Sequence, residues 1–121
     1  MKRRYRLCRN SDFQRVRRDG QSHASPLLAL AFLQNDLDYS RFGFVVSKRL
    51  GKAVERNRIK RRMREATRQR LINIKPGYDL VIIARQPIRL ASYAEIECSL
   101  EQLLEKANLW RPHIKTEAKK R

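Results

Sequence analysis

Acidic residues are scarce in this chain. Among 121 residues there are 12 Asp or Glu against 29 Lys or Arg, a formal net charge of +17 with histidine neutral. Charge of one sign opposes compaction through self-repulsion, so a polyanion is the expected companion and nucleic acid the first class to consider. A small-molecule enzyme is disfavoured on the same ground. Cysteine is nearly absent as well. Cys8 and Cys98 are far apart and match no zinc spacing, and His23 and His113 are the only histidines. A protein-built zinc site and a structural disulfide are therefore not expected, and the chain reads as a reduced, cytoplasmic protein. Long apolar runs are missing, which excludes a transmembrane helix. The charged start Met1-Lys2-Arg3-Arg4 leads into polar sequence rather than an apolar stretch, unlike a secretory signal. With 4 Gly and 4 Pro, low complexity is excluded too.

What is present suffices for one modest core: 41% of residues are hydrophobic. Ser11-Asp12-Phe13-Gln14 reads as a capping box that opens a short helix to about Arg18, with Phe13 and Val16 on one face. Residues 21–26 read as loop. Leu27 to Leu33 is an apolar run without helical period, and Arg41 to Ser47 a second strand, so 27–47 reads as a hairpin. From Ala53 to Ile72 the period becomes helical, with Ile59, Met63 and Ala66 as the apolar stripe. Tyr78 to Ala84 is the clearest strand. Gln86 to Ala91 reads as loop, and Ser92-Tyr93-Ala94-Glu95 as a second capping box before a helix to about Asn108. The expected order is α-β-β-(β)-α-β-α, an extra short strand being placed near 38–50. The class is α+β, one domain over 1–110 with a four-stranded sheet and helices packed on it, followed by a basic tail over 111–121 that is expected to fray.

The dominant feature is the segment from Lys48 to Arg70. It holds eleven Lys or Arg in 23 residues, interrupted by Glu55 and Glu65. At 100° per residue, Asn57, Arg61, Arg64 and Arg68 share a narrow sector opposite the apolar stripe, flanked by Arg58 and Lys60. A solvated helix face normally mixes signs, because like charges one turn apart destabilise the helix. A face nearly of one sign is the footprint of a nucleic-acid binder. Eight of the eleven cations are arginine, whose planar fork suits phosphate oxygens and stacks on bases. A membrane-active polycation is disfavoured, because Ile59 and Met63 are nearly the whole large apolar face of this helix.

Gly51-Lys52-Ala53-Val54-Glu55-Arg56-Asn57-Arg58-Ile59-Lys60-Arg61-Arg62-Met63-Arg64-Glu65 resembles the signature of the bacterial ribonuclease P protein component. Arg6-Leu7 with Asp12-Phe13, Gly43 to Lys48, and Asp79 to Arg85 resemble the same family, so the likeness covers roughly residues 5–108. The resemblance implies the protein subunit of a ribonucleoprotein endoribonuclease that removes the 5′ leader from precursor tRNA. It implies that the RNA subunit, with bound Mg²⁺, performs the hydrolysis. It implies an unusual left-handed β-α-β crossover, where the general rule would give a right-handed one.

By the same resemblance Arg56, Asn57, Arg58, Lys60, Arg61 and Arg64 are assigned to the RNA subunit, with Lys48 and Lys52 on the same surface; Arg68 joins them through its place in the basic sector. Phe13 falls on the aromatic of the first helix, at a cleft for the single-stranded leader. Arg17 stands where the family often has a second aromatic, so stacking gives way there to phosphate attraction. The aromatic sometimes found on the first strand is also absent, since Ala29 and Ala31 flank Leu30. Phe42 and Phe44 share one strand face, as leader platform or as core. Trp110 is read as covering the core edge, and His23 and His113 receive no role. No catalytic residue, no metal site and no obligate protein partner is expected of the protein. The alternative is a small basic structural RNA-binding protein of ribosomal type.

Overall fold

A computed structural model describes residues 1–111. The expected tail beyond Arg111 and His113 lie outside the described residues. Three helices flank one four-stranded sheet: α1 Asn10–Asp19, α2 Ala53–Arg68 and α3 Tyr93–Lys106, with strands β1 Gln21–Ala24, β2 Leu28–Gln34, β3 Arg41–Val45 and β4 Tyr78–Ala84. Short 3-10 turns cover Arg3–Tyr5, Lys48–Leu50, Leu71–Asn73 and Gln86–Leu90. The class is α+β, as expected.

The strand order β1-β2-β4-β3 corrects the expected hairpin. β2 and β3 do not pair. β4 inserts between them, antiparallel to β2 with Leu30 opposite Ile82, and parallel to β3 with Gly43 opposite Val81. The true hairpin joins β1 to β2, placing the extra strand at 21–24 rather than near 38–50. There Ser25 closes the turn, its hydroxyl donating to the Leu28 carbonyl. β1 is short, polar and at the sheet edge, so it carries no apolar signal to read.

Alternation along each strand divides the sheet into two faces. On one face Leu28, Leu30, Phe32, Phe42, Phe44, Leu80 and Ile82 form the main core with α2 and α3. The stripe Ile59, Met63, Ala66 of α2 and Ile96, Leu100, Leu103, Leu104 of α3 are all buried in it, as their spacing predicted. Each buried Leu, Ile or Met among them contributes about 1.5–3 kcal/mol on burial. Trp110 packs half-buried against this core and bridges to Ile74. On the other face Leu7, Val16, Ala31 and Val81 form a smaller cluster under α1, with Phe13, Leu33, Val45 and Ile83 around it.

Helix ends follow local chemistry. The Ser92 box forms as read: its hydroxyl accepts from the Glu95 amide at 3.1 Å, and the Glu95 carboxylate accepts from the Ser92 amide at 2.8 Å. The Ser11–Gln14 box does not form. α1 begins two residues earlier, with Arg9 at the N-cap in place of Ser11 and no side-chain cap. α2 ends at Arg68, and Leu71–Asn73 continues as a 3-10 turn before Pro76-Gly77. Among the described residues no helix is long and apolar enough to cross a membrane.

Candidate nucleic-acid interface

The approach to α2 is held in one conformation. Gly51 has φ 126, in the region that favours glycine, and a Cβ there would collide with the Glu55 carboxylate. Glu55 accepts from the Lys52 amide at 3.3 Å, while Arg56 Nε donates to the Gly51 carbonyl at 3.1 Å. These bonds tie the Lys48–Leu50 turn to the first turn of α2. They leave Lys48 and Lys52 exposed beside Asn57 and Arg58, which are exposed as well.

Partners within the fold sort the cations of α2 and of the residues just after it into two groups. Arg70 is held by Glu97 at 3.1 Å and Glu101 at 2.9 Å on α3, and Arg62 turns toward the Ala91 carbonyl. Those cations serve the fold. Among the assigned residues Lys48, Lys52, Arg56, Asn57, Arg58, Lys60, Arg61, Arg64 and Arg68, Arg68 alone forms an ion pair within the described residues, with Glu65 at 2.6 Å. The Glu65 carboxyl is lowered to about 2, first by its hydrogen bonds from Arg68 and then by that from Gln69. The sector is therefore less one-signed than its spacing implied: Glu65 neutralises its C-terminal end. Arg61 stays exposed.

Arg64 departs from the simple sector. Its guanidinium lies 6.0 Å from the Phe44 ring, and its Nε is buried without a partner among the described residues. Burial, then the Arg6 cation, lowers its pKa. Arg64 thus carries an unused donor and an unbalanced charge close enough to Arg6 to feel it.

Phe42 and Phe44 face the α2 side of the sheet at 2% and 9% exposure. The expectation that they form a leader platform is corrected, because the pair supplies core surface beneath α2. The opposite face of β3 is Arg41, Gly43 and Val45. Phe13 lies there, half-buried, its ring so close over Gly43 that a Cβ at residue 43 would collide with it. Arg17, one turn further along α1, is exposed at the rim of a separate hollow of about 380 Å³ lined by Ser22, Ala24, Ala29, Ala31 and Ile83. Ala29 and Ala31 of β2 present only methyl groups to this hollow. Phe13 and Arg17 thus border the same face of the sheet one helical turn apart on α1, without meeting in one pocket.

Sequence reasoning missed the group that sets α1 on this face. The Asp79 carboxylate is fully buried. It accepts from Arg41 at 2.7 and 2.9 Å, from Arg15 at 2.8 Å, and from Asn35 Nδ2 at 2.9 Å. The available signal was a carboxylate inside the apolar strand Tyr78 to Ala84, since unpaired acids are almost never fully buried. Among the described residues no cluster of His, Cys, Asp or Glu is placed to hold a metal ion. Asp79 is taken up by the two guanidinium groups and the amide.

The sequence model of the family described as Ribonuclease P matches residues 1–108. A ribonuclease P protein component from Herpetosiphon aurantiacus is 44% identical over 110 residues, covering 91% of this chain and 89% of the relative. One from Clostridioides difficile is 41% identical over 104 residues, covering 85% of this chain and 91% of the relative. Among solved structures, the RNase P protein of Staphylococcus aureus superposes with a TM-score of 0.82 at 38% identity, covering 88% of this chain and 98% of that one. The RNase P protein of Thermotoga maritima gives 0.78 at 32% identity, covering 84% and 96%.

Proposed function

This chain belongs to the ribonuclease P protein family, and from that premise we propose that it is the RNA-binding subunit of an endoribonuclease that trims the 5′ leader from precursor tRNA. The observation that carries the reading is the exposed face of α2 with its entry turn. Lys48, Lys52, Asn57, Arg58 and Arg61 have no acidic partner among the described residues, whereas Arg70, just past the helix, is taken up by Glu97 and Glu101 of α3 and Arg62 turns to the Ala91 carbonyl. Free cations on a rigid helix release counterions when they meet phosphates, and that release supplies affinity.

The work divides between two surfaces. The α2 face and the Lys48–Leu50 turn hold the RNA subunit. The α1 face, through Phe13 and Arg17, takes the leader, with Arg17 attracting phosphate where stacking would otherwise serve. Hydrolysis belongs to the RNA subunit, and Mg²⁺ is held mainly by that RNA. The part of this chain is to bring positive charge to a junction of two polyanions, so that less Mg²⁺ is needed there. The same reading places the protein in the cytoplasm, where its exposed thiols Cys8 and Cys98 stay reduced.

The test is which RNA the protein retains at moderate salt. Selective retention of the ribonuclease P RNA over ribosomal RNA supports the reading. Equal retention of the two returns the chain to a general structural RNA-binding role.

A further inference from the structure

A second hollow, of about 340 Å³, opens where β3 begins and α2 has just ended. Tyr5, Tyr39, Phe42, Leu71, Ile72, Ile74 and Pro76 line it, with Asp38 and Arg111 at its margin. Tyr5 and Tyr39 meet edge to face, with centroids 5.7 Å apart. The Arg4 guanidinium lies over both rings, 4.5 Å from the Tyr39 centroid and 5.3 Å from that of Tyr5. Arg4 is not among the lining residues, so it backs the tyrosines rather than filling the space. The Arg111 main chain is fixed beside the hollow by two bonds to Asn73: its amide donates to the Asn73 carbonyl at 2.7 Å, and its carbonyl accepts from Asn73 Nδ2 at 2.9 Å. Ile72 is 55% exposed at the edge.

Its size and chemistry select the occupant. The hollow is at the low end for ligand sites and suits one flat group rather than a helix or strand. Aromatic walls, a guanidinium backing them, Arg111 and the Asp38 carboxylate form the set that takes an unstacked nucleobase: rings for its face, Arg111 for its phosphate, a carboxylate for an amino or imino edge. The hollow lies on the α2 side of the sheet, against Phe42, and begins directly after the last turn of α2. The leader surface is on the opposite side of the sheet.

We propose that this hollow binds one unpaired nucleotide of the RNA subunit, stacked against Tyr39 and Tyr5. The proposal rests on the reading of α2 as the RNA-subunit face and extends that face past the C-terminal end of the helix.

The experiment uses the full chain with the RNA subunit and with precursor tRNA. Tyr39→Ala is expected to weaken RNA-subunit binding about tenfold, in the range of one lost base–aromatic stack. The slope of affinity against salt should not change, because no phosphate contact is lost. Tyr39→Phe, which keeps the ring, should bind as the parent does. A photoreactive phenylalanine analogue at residue 39 should cross-link to one site in the RNA subunit. Unaltered affinity for Tyr39→Ala in a protein that melts normally would overturn the proposal. So would cross-links confined to precursor tRNA or to a second copy of the protein. Arg58→Ala in the same assay keeps the two readings apart. If it weakens binding while Tyr39→Ala does not, the base site fails and the RNA-subunit face stands; if neither does, the larger reading fails.

Discussion

Arg41 and Asp79 are register partners on adjacent parallel strands, and the Arg41 guanidinium grips the buried Asp79 carboxylate through both Nε and Nη2. Arg15 of α1 reaches the same carboxylate from above at 2.8 Å. One buried charge therefore joins β3, β4 and α1, and fixes the helix that carries Phe13 and Arg17.

Asp79→Asn removes that charge and leaves two arginines facing each other. Breaking a fully buried pair costs about 3–5 kcal/mol. Both arginines here can turn toward water, so the expected loss is about 2–3 kcal/mol. Chemical denaturation measures it, and an unchanged midpoint would show that α1 is held by apolar contacts alone.

Phe13→Ala separates packing from leader binding. Loss of a half-buried ring should cost about 2 kcal/mol of stability, roughly half of the penalty at a fully buried site. Precursor tRNA binding should weaken by about 1–3 kcal/mol, the value of one base stack. Mature tRNA binding should hold steady. Gly43→Ala offers an independent check, because its new Cβ must push the Phe13 ring aside while keeping an aromatic on α1. Equal losses for the two tRNA forms would reduce Phe13 to an anchor.

Glu65→Gln should strengthen RNA binding. Arg68 is then released from its carboxylate and becomes available to phosphate, which steepens the salt dependence by about one unit. The same substitution has a pH signature. The folded pKa of Glu65 is depressed to about 2 from 4.5, so its contribution to stability is present above about 4.5 and is lost as pH falls toward 2. Glu65→Gln should flatten stability against pH across that window. A tighter salt-dependent complex without the flattening, or the reverse, would separate the two effects and contradict a single Glu65–Arg68 cause.

Arg58→Ala should weaken binding to the RNA subunit by about 1–3 kcal/mol, as for a hydrogen bond to an ionised group. The salt slope should fall by about one. Arg58 makes no hydrogen bond or ion pair in the described fold, so the melting temperature should stay constant. Arg56→Ala should lose binding and some stability together, since Arg56 also closes on Gly51. If Arg58→Ala binds as tightly as the parent, the RNA-subunit surface lies elsewhere.

Local signals in the sequence were read correctly where one helix turn contained the whole cause. The Ser92–Glu95 box and the stripes Ile59–Met63–Ala66 and Ile96–Leu100–Leu103 are set by spacing alone, and they formed. The Ser11–Gln14 pattern was equally suggestive and did not form, because α1 starts at Asn10 behind Arg9. Strand pairing was not legible in the same way. Leu27–Leu33 and Arg41–Ser47 look like hairpin partners until β4, more than thirty residues further along, takes the place between them. β1 could not be found from its composition, Gln-Ser-His-Ala, since only its partner makes it a strand. Alternation placed Phe42 and Phe44 on one face without saying which, and the helix above that face buried them. Asp79 needed the fold to bring Arg15 and Arg41 to it. The basic surface was the most legible part of the site: among the assigned residues only Arg68 finds an acidic partner within the described residues, and that partner, Glu65, lies one turn away in sequence.

The central claim is that this protein supports cleavage carried out by RNA. It is tested by incubating precursor tRNA at low Mg²⁺ with the RNA subunit alone, with RNA-free protein alone, and with both. Efficient release of the leader only in the combined reaction, with the RNA alone recovering activity as Mg²⁺ is raised, is the predicted result. Cleavage by the RNA-free protein, or no gain when protein is added to the RNA, would contradict it.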